Sequence, residues 1–141
     1  MRIKRLLPAL VIVCWFIAPV HAGRPAWKHI TTSADGLTSF YLDAKRSVTR
    51  GSPRRVRLLF DFSKLQQDPD TLIEHRSMVE GASIDCQRRT LAPIEATGYA
   101  ENMGRGRAVV TMASPQPLKA VAAAPGSIDA RVIDFVCQAR R

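Results

Sequence analysis

The chain has 141 residues, with 21 Lys plus Arg against 12 Asp plus Glu and a formal net charge of +9 at pH 7. That length suits one domain, and the lack of any internal repeat or low-complexity block sets aside repeat arrays and biased tails. The basic balance favours acidic partners such as phosphates, sulfated sugars or anionic lipid head groups.

The first segment reads as an export signal. Met1 to Arg5 is cationic, Leu6 to Val20 is apolar apart from Pro8 and Pro19, and Val20-His21-Ala22 precedes Gly23 in the pattern a signal peptidase reads. A membrane-spanning helix needs roughly 20 apolar residues, more than this run offers. Cys14 lies inside the run, between Val13 and Trp15-Phe16-Ile17, which is not the setting of a lipoprotein cysteine. The expected organisation is a signal peptide over residues 1–22 and one domain over residues 23–141, with no transmembrane segment after cleavage. Loss of Arg2, Lys4 and Arg5 takes the 21 basic residues to 18 against the same 12 acidic ones, a mature charge of +6. Cys86 and Cys137 remain, and an exported protein with two cysteines usually joins them, two free thiols being the alternative.

Gly23 to Ala26 is a short leader. Trp27 to Thr32 and Leu37 to Asp43 read as strands around Ser33-Ala34-Asp35-Gly36, where the Asp-Gly pair fits a tight hairpin turn. Gly51-Ser52-Pro53 leads into the clearest strand, Arg55 to Phe62. Its period of two puts Val56, Leu58, Phe60 and Phe62 on one face and Arg55, Arg57, Leu59 and Asp61 on the other. Lys64 to Thr71 is expected to be a polar loop. Ser77 to Cys86 alternates again: Met78, Ala82, Ile84 and Cys86 share a face on which Glu80 is the exception. Leu91 to Tyr99 and Arg107 to Met112 are further strands, joined across Asn102-Met103-Gly104-Arg105-Gly106 by a hairpin loop. Ser114 to Pro125 is a connection with room for one helical turn.

The last element is a helix. Ser127 is a suitable N-cap, Asp129 places a negative charge in the first turn, and Arg140 and Arg141 suit the C-terminal end. Ile128, Val132, Ile133, Phe135, Val136 and Cys137 spread over more than half the helix circumference, which suits a helix lying in a hollow. The fold class that results is α+β, a single antiparallel sheet with a C-terminal helix on its apolar face, tied by Cys86 and Cys137.

These residues resemble the surface-adhesin protein E-like family of bacterial exported proteins. The resemblance begins at Trp27 and Phe40-Tyr41-Leu42-Asp43 and runs through Ser47, the Arg55–Phe62 strand and Ser77. Its most specific stretch is Ile84-Asp85-Cys86-Gln87-Arg88-Arg89. It continues through Tyr99, Met103-Gly104-Arg105-Gly106, Pro125-Gly126-Ser127 and Cys137. Leu118 stands where many members carry an aromatic residue, and Leu58 lies in a strand where members often have Trp. The resemblance implies about six antiparallel strands with the helix disulfide-tied on their concave side. It also implies an exported envelope protein that acts by non-catalytic binding, adhesion to host matrix or plasma proteins being one version. A periplasmic structural or accessory role is the alternative.

Little in the residues suggests chemistry. The mature chain keeps His29 and His75, which with Asp43, Asp61 or Asp85 would be the general-base pair of a small periplasmic hydrolase, but no spacing demands it. The same two histidines have no ligand spacing for a metal or haem iron, so no cofactor is expected. Ser77, Ser83 and Ser127 lack a nucleophile motif. Gly104-Arg105-Gly106 has no following helix to bind phosphate and reads as a turn with positive φ. The candidate contacts for an anion or a partner protein are Arg54, Arg55 and Arg57, which lie together, and the adjacent pair Arg88 and Arg89. With few stacking aromatics near these clusters and an export signal ahead of them, nucleic acid is not an expected partner.

Overall fold

The computed structural model describes residues 24–48, 50–113 and 118–138. The expected signal peptide, Cys14 and Arg140-Arg141 lie outside them.

The first hairpin joins β1 (Trp27–Thr32) to β2 (Thr38–Asp43). Its turn is held by the Asp35 carboxylate, which accepts from the Ser33 hydroxyl at 2.6 Å and the Leu37 N–H at 3.0 Å. Gly36 supplies the φ of +72° that the turn requires. β3 (Arg54–Gln67) pairs with β2 on one side and with β4 (Glu74–Asp85) on the other. β3 is longer than the alternation suggested. A register shift between Asp61 and Gln66 carries pairing on to Gln67, through residues that had looked like loop. Ser63 to Gln67 are exposed and have no apolar face, so the period-two signal stops before the strand does.

β5 (Thr90–Tyr99) and β6 (Ala108–Ala113) complete an antiparallel meander in the order β1-β2-β3-β4-β5-β6. In the connection after β6, where one helical turn had room, Val121–Ala122 instead form a two-residue strand, β7, on Thr90 and Leu91 of β5. The C-terminal helix α1 (Ile128–Gln138) begins at Ser127, whose hydroxyl accepts from the Ala130 N–H at 3.1 Å.

The helix lies on the face formed by Leu42, Val56, Leu58, Ala82, Ile84 and Leu91, into which it buries Val132, Ile133 and Val136. Cys86 and Cys137 are bonded, closing a separation of 51 residues and tying α1 to the end of β4.

The opposite face has a smaller core of its own. Leu59 and Val79 are buried there because the chain after β5 folds back over them. Asn102–Gly104 is a 3-10 turn, not an open hairpin loop. Its Asn102 amide donates to the Phe62 carbonyl at 2.8 Å, and the Met103 N–H donates to Asp61 at 2.6 Å. The buried Ser77 hydroxyl donates to the Glu101 carbonyl and accepts from the Gly104 N–H at 2.9 Å. Gly104 has φ +66°, and a Cβ there would stand 3.1 Å from Val79, so both backbone and space call for glycine.

Candidate binding surfaces

The helix covers only part of the face it packs on. Leu58, Glu80, Ala96 and Met112 are successive register partners across β3 to β6 and so share that face. Leu58 lies in the core under α1, whereas Met112 is 44% exposed. A groove occupies the uncovered part. One compartment, about 220 Å³, lies by the start of the helix among Phe60, Leu91, Val121, Ile128 and Val132. A larger one, about 560 Å³, lies over Met78, Ala96, Met112 and Leu118. Glu80 and Pro93 line both.

Glu80 interrupts the apolar pattern of β4, and the structure keeps it facing inward. Its carboxyl makes no hydrogen bond or ion pair with any described residue. Burial pushes its pKa up to about 7, and the negative Asp129 in the first turn of α1 adds to the rise. Among the described residues, neither compartment is lined by a Lys, Arg or His. In the sequence Glu80 stands out as the exception to the alternation, with no role assigned to it. The available signal was that it is the one charged residue among the inward positions Met78 to Ile84.

The structure parts the five arginines. Arg54 is 4% exposed and turned to the helix, where it donates to the Val136 carbonyl at 2.5 Å, so its guanidinium belongs to the fold. That carbonyl is in the last turn, whose C=O groups have no intrahelical partner and where a cation suits the dipole. Arg55 and Arg57 stand on the opposite face, across from Ser83 and Gly81, and border a depression of about 320 Å³ together with Arg46 and Glu95. Arg88 and Arg89 stand at the β4–β5 turn. Arg88 lies 3.9 Å from Asp85, and Arg89 makes a 2.7 Å ion pair with Asp134 of α1.

The histidines do not come together with the carboxylates considered for them. His29 meets Tyr41 edge-on and shares a hydrogen bond with Thr32, while His75 meets Phe62. Asp43 accepts from the N–H groups of Lys45 and Arg46, Asp61 from Asn102 and Met103, and Asp85 from Gln87 and Arg88. Each carboxylate holds a turn, and neither histidine is hydrogen-bonded to any of them. Among the described residues no cluster of three or more His, Cys, Asp or Glu has the geometry to hold a metal.

The family model of surface-adhesin protein E matches residues 27–138. The chain belongs to that family. Its fold is similar to the structure of Haemophilus influenzae protein E, with 14% identity, a TM-score of 0.59, and coverage of 87% of this chain and 92% of that one. A second crystal form of Haemophilus influenzae protein E also has a TM-score of 0.59 at 14% identity, over 79% of this chain and 87% of that one. Protein E from non-typeable Haemophilus influenzae gives 0.58 at 14% identity, over 86% and 82%. No curated protein matches the chain. In this member of the adhesin family, the stretch Ile84–Arg89, the most specific part of the resemblance, has a clear structural purpose. It ends β4, turns the chain under Asp85 and presents Cys86 to the helix.

Proposed function

We propose that this adhesin-family protein is exported to the bacterial envelope and acts by non-catalytic binding of an acidic partner, with host matrix or plasma proteins as the partner class. The observation that carries the reading is the unbroken family match from β1 to the end of α1. Arg55 and Arg57 are the residues proposed to meet the partner. They project side by side from the face that α1 leaves free, in a chain with a surplus of positive charge.

The test uses immobilised matrix extract and plasma proteins with the disulfide-intact protein in solution. Saturable binding that weakens with salt, and falls at least about tenfold in Arg55→Ala/Arg57→Ala, is the expected result. No binding to either surface contradicts the adhesin reading. Protease-accessible protein on intact cells supports adhesion, whereas release only with the periplasmic fraction favours the accessory role.

A further inference from the structure

The groove beside α1 has a chemistry opposite to that of the chain as a whole. The protein carries a net charge of +9, yet among the described residues the charges facing this apolar groove are the carboxyls of Glu80 and Asp129. Glu95 borders it too, but its side chain turns to the other face, within 3.3 Å of where a Cβ on Gly81 would lie.

Charge complementarity decides what fits. A purely apolar ligand would finish burying Glu80 without giving it a partner, and an anion would meet two carboxylates. A cation carried on an apolar ligand pairs with Glu80 and leaves the rest of the groove to apolar side chains. The larger compartment, about 560 Å³, takes several side chains, and its rim residues Met112 and Leu118 are 44% and 54% exposed. That openness lets a chain segment pass through.

We propose that this groove binds a peptide segment of a partner protein, presenting one lysine or arginine between apolar side chains, with the cation paired to the Glu80 carboxylate. The site stands apart from Arg55 and Arg57 and does not depend on their binding anything. Pairing with a cation favours the ionised carboxyl, so binding expels the proton that the empty groove holds in part at neutral pH. Asp129 and Glu95 are the other titratable groups along the groove, and the Glu80 pKa near 7 sets the window. Affinity then rises about tenfold from pH 6 to pH 8.

The test measures anisotropy of a fluorescein-labelled heptapeptide with a central lysine flanked by leucine and valine. Matched peptides carry norleucine or glutamate at the centre. The lysine peptide is expected to bind at least about tenfold tighter than the norleucine peptide at pH 8, and the glutamate peptide weakest. Glu80→Gln should bring the lysine and norleucine peptides together and flatten the pH dependence. Met112→Arg, on the exposed rim, should weaken the lysine peptide while leaving the circular dichroism spectrum unchanged. Equal binding of the three peptides overturns the proposal, as does binding indifferent to Glu80→Gln in a folded variant. Self-association blocked by Met112→Arg would assign the groove to a second copy and overturn it equally.

Discussion

At the C-terminal end of α1 three attachments converge: the Cys86–Cys137 bond, the Arg54 guanidinium on the Val136 carbonyl, and the Arg89–Asp134 ion pair. At the N-terminal end the attachments are lighter. Ser127 caps the first turn, Arg131 reaches the Thr31 hydroxyl at the surface, and the sheet beyond stays open around Glu80. One end spends its polar groups on fixing the fold. The other leaves a carboxyl half-buried and unpaired, an arrangement that costs stability and that proteins concentrate at functional positions.

The largest effect expected at the fixed end comes from the disulfide. Closing a 51-residue separation stabilises by about 4 kcal/mol in the chain-entropy model. Cys137→Ala should therefore lower the melting temperature by more than about 10 °C, followed by circular dichroism. An unchanged melting curve would show that α1 needs no tie.

The open end should respond to pH in the opposite sense from a paired carboxylate. The folded-state pKa of Glu80 is raised, so its contribution to stability is fully present below the ordinary value of 4.5 and is lost as pH climbs through about 7. That loss amounts to as much as about 3 kcal/mol. Glu80→Gln should accordingly be more stable than the parent in urea at pH 8 and close to it at pH 4. A variant less stable than the parent at pH 8 would mean that the carboxylate has a partner.

Arg54→Met removes a charge-assisted hydrogen bond from a buried carbonyl and should cost about 2 kcal/mol. Hydrogen exchange should speed up most at Val136 to Gln138. Exchange that quickens equally along the whole helix would place the anchor elsewhere. Met112→Arg, at the rim, should move stability by no more than about 0.5 kcal/mol. A loss of several kcal/mol would show that the groove is core.

The same contrast marks what could be read from the sequence. The fixed end was legible: the pair Cys86 and Cys137, a capped helix with a broad apolar arc, and the alternation of Val56, Leu58 and Phe60 pointed to the helix, the tie and the face it covers. Arg54 was misleading as a surface contact because it stands beside the outward-facing Arg55 and Arg57, although the alternation that points those two out puts Arg54 on the face of Val56, where it is buried. The second small core was invisible, since Leu59 looked like a lone apolar residue on a polar face until the Asn102–Gly104 turn folded over it. Glu80 was noticed only as a flaw in the alternation. How far α1 covers the sheet depends on where its two ends are fastened, which no local pattern encodes.

The most direct measurement is the titration of the Glu80 carboxyl carbon by NMR, in the free protein and with the lysine peptide bound. The carboxyl is expected to titrate near 7 in the free protein and to drop toward the ordinary carboxylate range when a cation fills the groove. A free-state value near 4.5, or one that the peptide leaves unmoved, would contradict that expectation.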